Sequence, residues 1–270
     1  MKLFSSTLLI AILIAALFSA GCKKDKDPAA PELPPMELMM LDFSNFADPS
    51  DTLNSTKSNA GYYNWGAAFL QAHFWNTFIT VGTAIPVASY IKAINQKPVY
   101  LGDNRWERKY DIIAENKAFN LSLITERISN EEFTVTMNVI LDAFGVSADY
   151  KLIDGTVRYD FTQATWTLYE NPLLATPLLR VEWNRDWEAG TGDLTYTNIR
   201  PGGSETGSFI SYSFDQDQEY EAVFTISLKA GTSVIEWNRE TRAGRIMNSF
   251  IFGDVQWHCW NSNLQNIDCP

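Results

Sequence analysis

Two hydrophobic rhythms divide the chain. From Ser58 to Ile91 there is no Asp, Glu, Lys or Arg, and the apolar residues do not alternate. Trp65, Phe69 and Ala72 share one helical face by i, i+4, i+7 spacing, and Leu70, Phe74 and Phe78 share another. A helix apolar on most sides belongs inside a large core or in a bilayer. Gln71, His73, Asn76, Thr77 and Thr80 interrupt its middle, so the pattern predicts a buried helix, with His73 as a hydrogen-bonded core residue. Gly82 is expected to end it. Pro86 is expected to open a second helix over Val87–Ile94, because a first-turn proline gives up no needed N–H.

Beyond Pro98 the rhythm changes to short runs rich in β-branched and aromatic residues, separated by polar turns. Strands are predicted over Trp106–Ile113, Ala118–Arg127, Phe133–Leu141, Tyr150–Ile153, Thr156–Phe161, Thr165–Tyr169, Leu178–Asn184, Leu194–Ile199, Ser208–Phe214, Tyr220–Leu228, Ser233–Asn238, Arg245–Phe252 and Val255–Trp260. Asp154-Gly155 reads as a type I′ hairpin turn between two of them. Short turns make antiparallel neighbours, since parallel strands need long crossovers. A meander of roughly 11 to 13 strands must curl, close or be covered. The expected fold is therefore mainly β: a long antiparallel meander forming a curved sheet, half-barrel or barrel. The aromatic helix (or two helices) near 61–94 would pack against it.

The N-terminus carries another pattern. Lys2 precedes an unbroken apolar run from Leu8 to Phe18, followed by Ser19-Ala20-Gly21-Cys22. A basic start, a short apolar segment and small residues predict a secretory signal over residues 1–21. The run, of about 11 residues, is too short to span a bilayer. A cysteine directly after Ala-Gly resembles a bacterial lipobox, with Ser19 standing where leucine is usual. The resemblance implies that Cys22 is lipidated and anchors the mature protein to a membrane. Lys23-Lys24-Asp25-Lys26-Asp27 resembles the charged tethers of Bacteroidota-type envelope lipoproteins. That implies an outer-membrane anchor, with the periplasmic and surface faces both open. Four prolines in residues 28–35 favour an extended, semi-rigid spacer. Residues 22–35 are thus read as a tether and 36–270 as one domain. Asp51-Thr52-Leu53 resembles the Bacteroidota O-glycosylation motif, which implies Thr52 as a modification site; a plain polar loop is the alternative. In topology alone, the meander with its helix resembles the half-barrel lipoprotein carriers of the bacterial envelope.

Composition narrows the partners. The net charge of −11 repels phosphate backbones, which speaks against nucleic acid. Of the three cysteines, acylation of Cys22 leaves Cys259 and Cys269. An oxidising envelope favours a bridge between them. Free thiols, or a metal pair completed by His258, remain open at this point, although a metal site needs three or four ligands. No His-Glu-x-x-His, Gly-x-Ser-x-Gly or phosphate loop is present, and neither a cofactor nor a resident metal is expected.

One repeat stands out. Glu182-Trp183-Asn184-Arg185, with Ala189-Gly190 following, recurs as Glu236-Trp237-Asn238-Arg239 with Ala243-Gly244, every position offset by 54. It reads first as a repeated strand end, with Trp inward and Glu and Asn on the other face. It also reads as two glycan-binding sites, each with an indole face and Glu and Arg edges. The leading functional expectation is a non-enzymatic, lipid-anchored protein holding a lipid or other hydrophobic ligand in a groove between sheet and helix. Trp65, Phe69, Phe74, Trp75 and Phe78 would line that groove. A surface glycan-binding role through Glu182, Trp183, Arg185, Glu236, Trp237 and Arg239, and a structural role in an envelope complex, are the alternatives.

Overall fold

The computed structural model describes residues 27–46, 60–114, 117–143, 146–171 and 174–269. The signal segment, Cys22 and Thr52 lie outside the described residues. Fourteen strands run β1 Val99–Gly102, β2 Arg105–Ala114, β3 Lys117–Arg127, β4 Glu132–Ala143, β5 Val146–Arg158, β6 Gln163–Asn171 and β7 Leu174–Asp186. They continue as β8 Thr191–Asn198, β9 Phe209–Asp215, β10 Ala222–Leu228, β11 Gly231–Trp237, β12 Gly244–Met247, β13 His258–Trp260 and β14 Asn266–Ile267. Each pairs with the next in sequence, so the sheet is one antiparallel meander whose two edges, β1 and β14, do not meet.

Period-two alternation builds the two faces. In β4, Phe133, Val135, Met137 and Val139 are buried, whereas Thr134, Thr136 and Asn138 between them face outward. Ala164, Trp166 and Leu168 of β6 and Ala222, Phe224 and Ile226 of β10 repeat the pattern. Against this inner face lies one helix, α1 (Tyr63–Ile94), of 32 residues and about 48 Å at 1.5 Å per residue. It touches β2 near one edge, β6 in the middle, and β12, β13 and β14 at the other edge. One rod reaching both edges and the centre requires the sheet to curl round it. Two bulges help: Leu152 in β5 and Leu178 in β7 are extra residues without an opposite partner. A bulge bends its strand and increases local twist.

Four expectations are corrected here. First, Asp154-Gly155 is not a turn. β5 passes straight through it, and Gly155 pairs with Val135 on one side and Trp166 on the other. A Cβ on Gly155 would sit 2.4 Å from the Thr165 carbonyl oxygen and 2.8 Å from the Trp166 ring. The glycine is there to admit the indole. Second, neither Gly82 nor Pro86 breaks the helix. Pro86 lacks an N–H for the Gly82 carbonyl, yet the inward positions continue unbroken as Trp75, Ile79, Thr83, Pro86, Tyr90 and Ala93. Burial of that face outweighs one missing bond.

Third, Arg245–Phe252 is not one strand. β12 stops at Met247, and a short helix α2 (Ser249–Phe252) follows. Asn248 caps it by accepting from the Ile251 N–H at 2.9 Å, and Gly253 ends it in the left-handed conformation at φ 77°. Fourth, the proline-rich segment is docked rather than free. The Trp106 indole donates to the Pro28 carbonyl at 3.0 Å, Arg108 to that of Pro31 at 3.4 Å, and the Tyr90 hydroxyl to that of Pro34 at 3.0 Å. Pro31, Leu33 and Pro34 are buried. The ordered body therefore begins by Pro28, eight residues before Met36.

The C-terminal tail is fastened by a disulfide between Cys259 and Cys269, whose Cα atoms are 5.2 Å apart. Asn64 at the start of α1 reaches the same strand, donating to the Cys259 carbonyl at 2.8 Å.

Candidate functional site

The five aromatic residues expected along a groove part company. Trp65, Phe69 and Trp75 are buried on the inward face of α1, where they form core rather than a lining. Phe78 is half-buried and packs edge-on against Trp75 at 5.6 Å. Phe74 faces away from the sheet and is 55% exposed. Between helix and sheet, Tyr90, Tyr196, Met36 and Met39 border a cavity of about 10 Å³. That is room for roughly one water-sized sphere and not for an acyl chain. The groove expectation is corrected: large side chains fill the space. His73 is corrected as well; it is exposed and stacks on Phe69 at 5.3 Å.

The outward face of α1 is the unexpected feature. Tyr63, Leu70, Phe74, Val81 and Ile91 are exposed along it, Val81 at 75%. The helix is uncharged until Lys92, whose ammonium is tied to the Asp111 carbonyl. Ile94, Val99 and Leu101 extend the apolar surface from the helix end into edge strand β1, and Phe250 of α2 adds to it beside Phe252, which meets Tyr63 edge-on. By contrast, the outer face of the sheet is rich in Thr, Ser and charged residues, such as Thr134, Thr136, Thr165, Thr195 and Ser211. Ile113 of β2, Ile128 after β3 and Trp187 after β7 are exposed singly, whereas the residues of α1 form a row.

The repeated segments are structural in their tryptophans. Trp183 is 3% and Trp237 2% exposed. Trp183 packs against Trp166 at 6.2 Å and Trp237 against Phe224 at 4.7 Å. Each indole N–H is satisfied internally, by the Phe161 carbonyl and by Asn45 Oδ1, both at 3.3 Å. Neither offers a face to a sugar, which corrects the glycan site built on these two residues. Glu236 is paired across the strands with Arg245 at 2.6 Å. Asn184 sits in an outer ladder, accepting from Gln163 and donating to Asp193. The second copy departs at its glycine: Gly190 sits in a turn at φ 66°, whereas Gly244 lies in β12 with no room for a Cβ against Trp260 and Trp237.

The two repeated arginines do converge. Arg185 and Arg239 line one cleft of about 430 Å³ at the rim of the sheet, where β7, β8 and β9 end. The Arg185 guanidinium lies 4.8 Å from the ring centre of Trp187, and that of Arg239 lies 5.2 Å from Phe214. Trp187, two residues beyond the repeat, is 55% exposed. Tyr212 forms part of the floor; burial raises its hydroxyl pKa, with Arg239 and Arg185 opposing and Asp42 and Glu221 assisting. The carboxylates around the cleft are engaged locally. Asp186 accepts the Glu188 and Ala189 N–H groups, Asp193 accepts from Asn184, and Asp42 accepts the Ser44 N–H and stands 3.8 Å from Arg239. Among the described residues no carboxylate lies within ion-pairing distance of Arg185, and no three His, Cys, Asp or Glu side chains gather as a metal site. His258 instead stacks on Phe252 at 3.7 Å and contacts Asp254 at 3.0 Å.

Sequence reasoning missed Trp187 and the outward helix stripe. The stripe had a signal in the charge-free run itself. Trp187 had none beyond its place after the repeat. No family model, no curated protein and no solved structure matches this chain.

Proposed function

We propose that this is a non-enzymatic lipoprotein, anchored through Cys22, that binds amphiphile or membrane surface with the outward face of α1. The observation that carries the reading is the uncharged stripe of Tyr63, Leu70, Phe74, Val81 and Ile91, left exposed on a helix whose other face is fully packed. A soluble protein rarely leaves a large contiguous apolar patch to water. The first described residues support the same side. Trp106 holds Pro28 and pairs with Tyr100 of β1, the strand that follows the end of α1 after only four residues. Cys22 is six residues before Pro28, a reach of at most about 20 Å. Lipid on Cys22 is therefore within reach of a bilayer that meets Ile91, Ile94 and Val99. The helix meets the length and hydropathy of a membrane span, but its buried Trp65, Trp75 and Tyr90 tie it to the sheet, so it lies on the surface rather than across it.

Vesicle flotation tests the reading. Residues 27–270, lacking the lipid, are expected to float with phosphatidylethanolamine–phosphatidylglycerol vesicles. The Leu70→Asp, Phe74→Asp, Val81→Asp variant is expected to stay in the dense fraction with an unchanged circular dichroism spectrum. Equal flotation of both, or of neither, refutes it.

A further inference from the structure

We propose that the rim cleft between Arg185 and Arg239 is a binding site for an acidic saccharide, a sugar carrying a carboxylate. This goes beyond the helix-face reading and does not depend on it. Three observations carry it. The cleft, at about 430 Å³, falls within the ~300–1,000 Å³ of small-ligand sites. Its two cations sit on aromatic rings, at 4.8 and 5.2 Å, which holds each guanidinium plane in place. Its carboxylates are occupied by backbone and side-chain donors, while Arg185 has no carboxylate partner among the described residues. Arg185 is therefore the one of the cleft's two cations without a carboxylate counter-charge among the described residues.

A planar guanidinium presents paired N–H donors that match a carboxylate. A sugar ring adds an apolar face, and the exposed part of Trp187 is the flat apolar surface beside Arg185. Tyr212 lies between the two Arg–aromatic pairs as a further polar contact. Asp42 is the built-in competitor: at 3.8 Å from Arg239 it occupies the place a ligand carboxylate would take. The net charge of −11 does not forbid an anion here. Asp42, Asp186 and Asp193 outnumber the two arginines in the lining, so the anion is held by direct contact with the guanidinium groups and not by the net charge of the cleft.

The test is affinity electrophoresis of the full mature protein, in a mild non-ionic detergent, through gels containing polygalacturonate, dextran sulfate or neutral dextran. Polygalacturonate is expected to retard the protein and neutral dextran is not. Arg185→Ala with Arg239→Ala should weaken the apparent polygalacturonate affinity at least tenfold. Trp187→Ala should weaken it as well while leaving any dextran sulfate retardation unchanged, and Asp42→Asn should tighten it. These are surface changes, and urea midpoints serve as the check that each variant folds. No retardation by polygalacturonate, or retardation that survives the double arginine change, overturns the site. Equal retardation by both polyanions that ignores Trp187 also overturns it, as the mark of a generic cationic patch. A vesicle-binding defect in the helix-face variant leaves all of these outcomes untouched.

Discussion

Gly155 offers the sharpest test of how the sheet is built, because two physical accounts of the same glycine predict opposite orders of variants. If the residue served a tight turn, its φ would be positive, and Asn, which tolerates the left-handed region, would replace it better than Ala. Its φ is not positive, and the constraint is space. A Cβ would stand 2.4 Å from the Thr165 carbonyl oxygen and within 2.8–2.9 Å of two Trp166 ring atoms. Thr165 is backbone of the paired strand, and Trp166 is fully buried, so neither can swing away. Strands β5 and β6 would have to separate by about an ångström to restore ordinary contact. Overpacking of that kind costs about 1–3 kcal/mol, partly offset by about 0.5–1 kcal/mol gained when a strand glycine becomes alanine. Because the 2.4 Å approach is to fixed backbone, the cost lies at the upper end, and Gly155→Ala is expected to lose about 2–2.5 kcal/mol, and Gly155→Asn more. Trp166→Leu should recover part of the alanine loss in a double-mutant cycle. Gly202, at φ 72° with nothing near its missing Cβ, is the control and should accept Asn readily. Equilibrium urea unfolding reads all of these. An alanine variant within 0.5 kcal/mol of the parent, or an asparagine variant more stable than the alanine one, refutes the close-approach account.

Trp75→Ala should cost about 3–5 kcal/mol of stability by urea unfolding, as a core truncation; a cost within about 0.5 kcal/mol, the range of a surface change, would reject that role. Burial raises the pKa of Tyr90, Tyr110 and Tyr196 above the usual tyrosine range. A raised folded pKa contributes stability that is complete below about pH 10 and is lost as pH climbs toward the folded value. Absorbance at 295 nm should therefore show these tyrosines ionising only as the protein unfolds; early, reversible ionisation of all 11 would contradict their burial. Among the described residues the Tyr110 hydroxyl has no hydrogen-bond partner, so Tyr110→Phe should be neutral or stabilising by up to about 1 kcal/mol. Reducing Cys259–Cys269, which are 10 residues apart, should lower stability by about 2–3 kcal/mol and raise amide exchange in Asn266–Ile267; unchanged exchange there would mean the tail is held by other contacts.

How much was legible in the residues varies by element. The alternation of Phe133, Val135, Met137 and Val139 with polar neighbours specified strand and face directly, because period two is a local property. Asp154-Gly155 misled, since the pair has the same composition whether a glycine serves a turn or makes room for an indole from the next strand. Pro86 misled for a related reason: the helix crosses it because Thr83, Pro86, Tyr90 and Ala93 are buried on one face, with Tyr90 edge-on to Trp166 of the sheet, a gain no local preference records. The duplicated Glu-Trp-Asn-Arg segments were visible as a repeat. That their tryptophans are buried and their arginines meet over one cleft was not, because the chain between them folds into intervening strands before the two ends approach.

The sequence by itself determined the class of fold, the sequential antiparallel pairing and the presence of apolar helix ahead of the strands, all of which follow from periodicity and short connections; that this helix runs unbroken through Gly82 and Pro86 it did not. Only the tertiary structure decided which side of that helix meets the sheet. An apolar helix with no polar stripe carries no inward or outward mark of its own, and the curvature of the sheet selects the face that fits. That selection fills the expected groove with Trp65 and Trp75 and leaves Leu70, Phe74 and Val81 facing out.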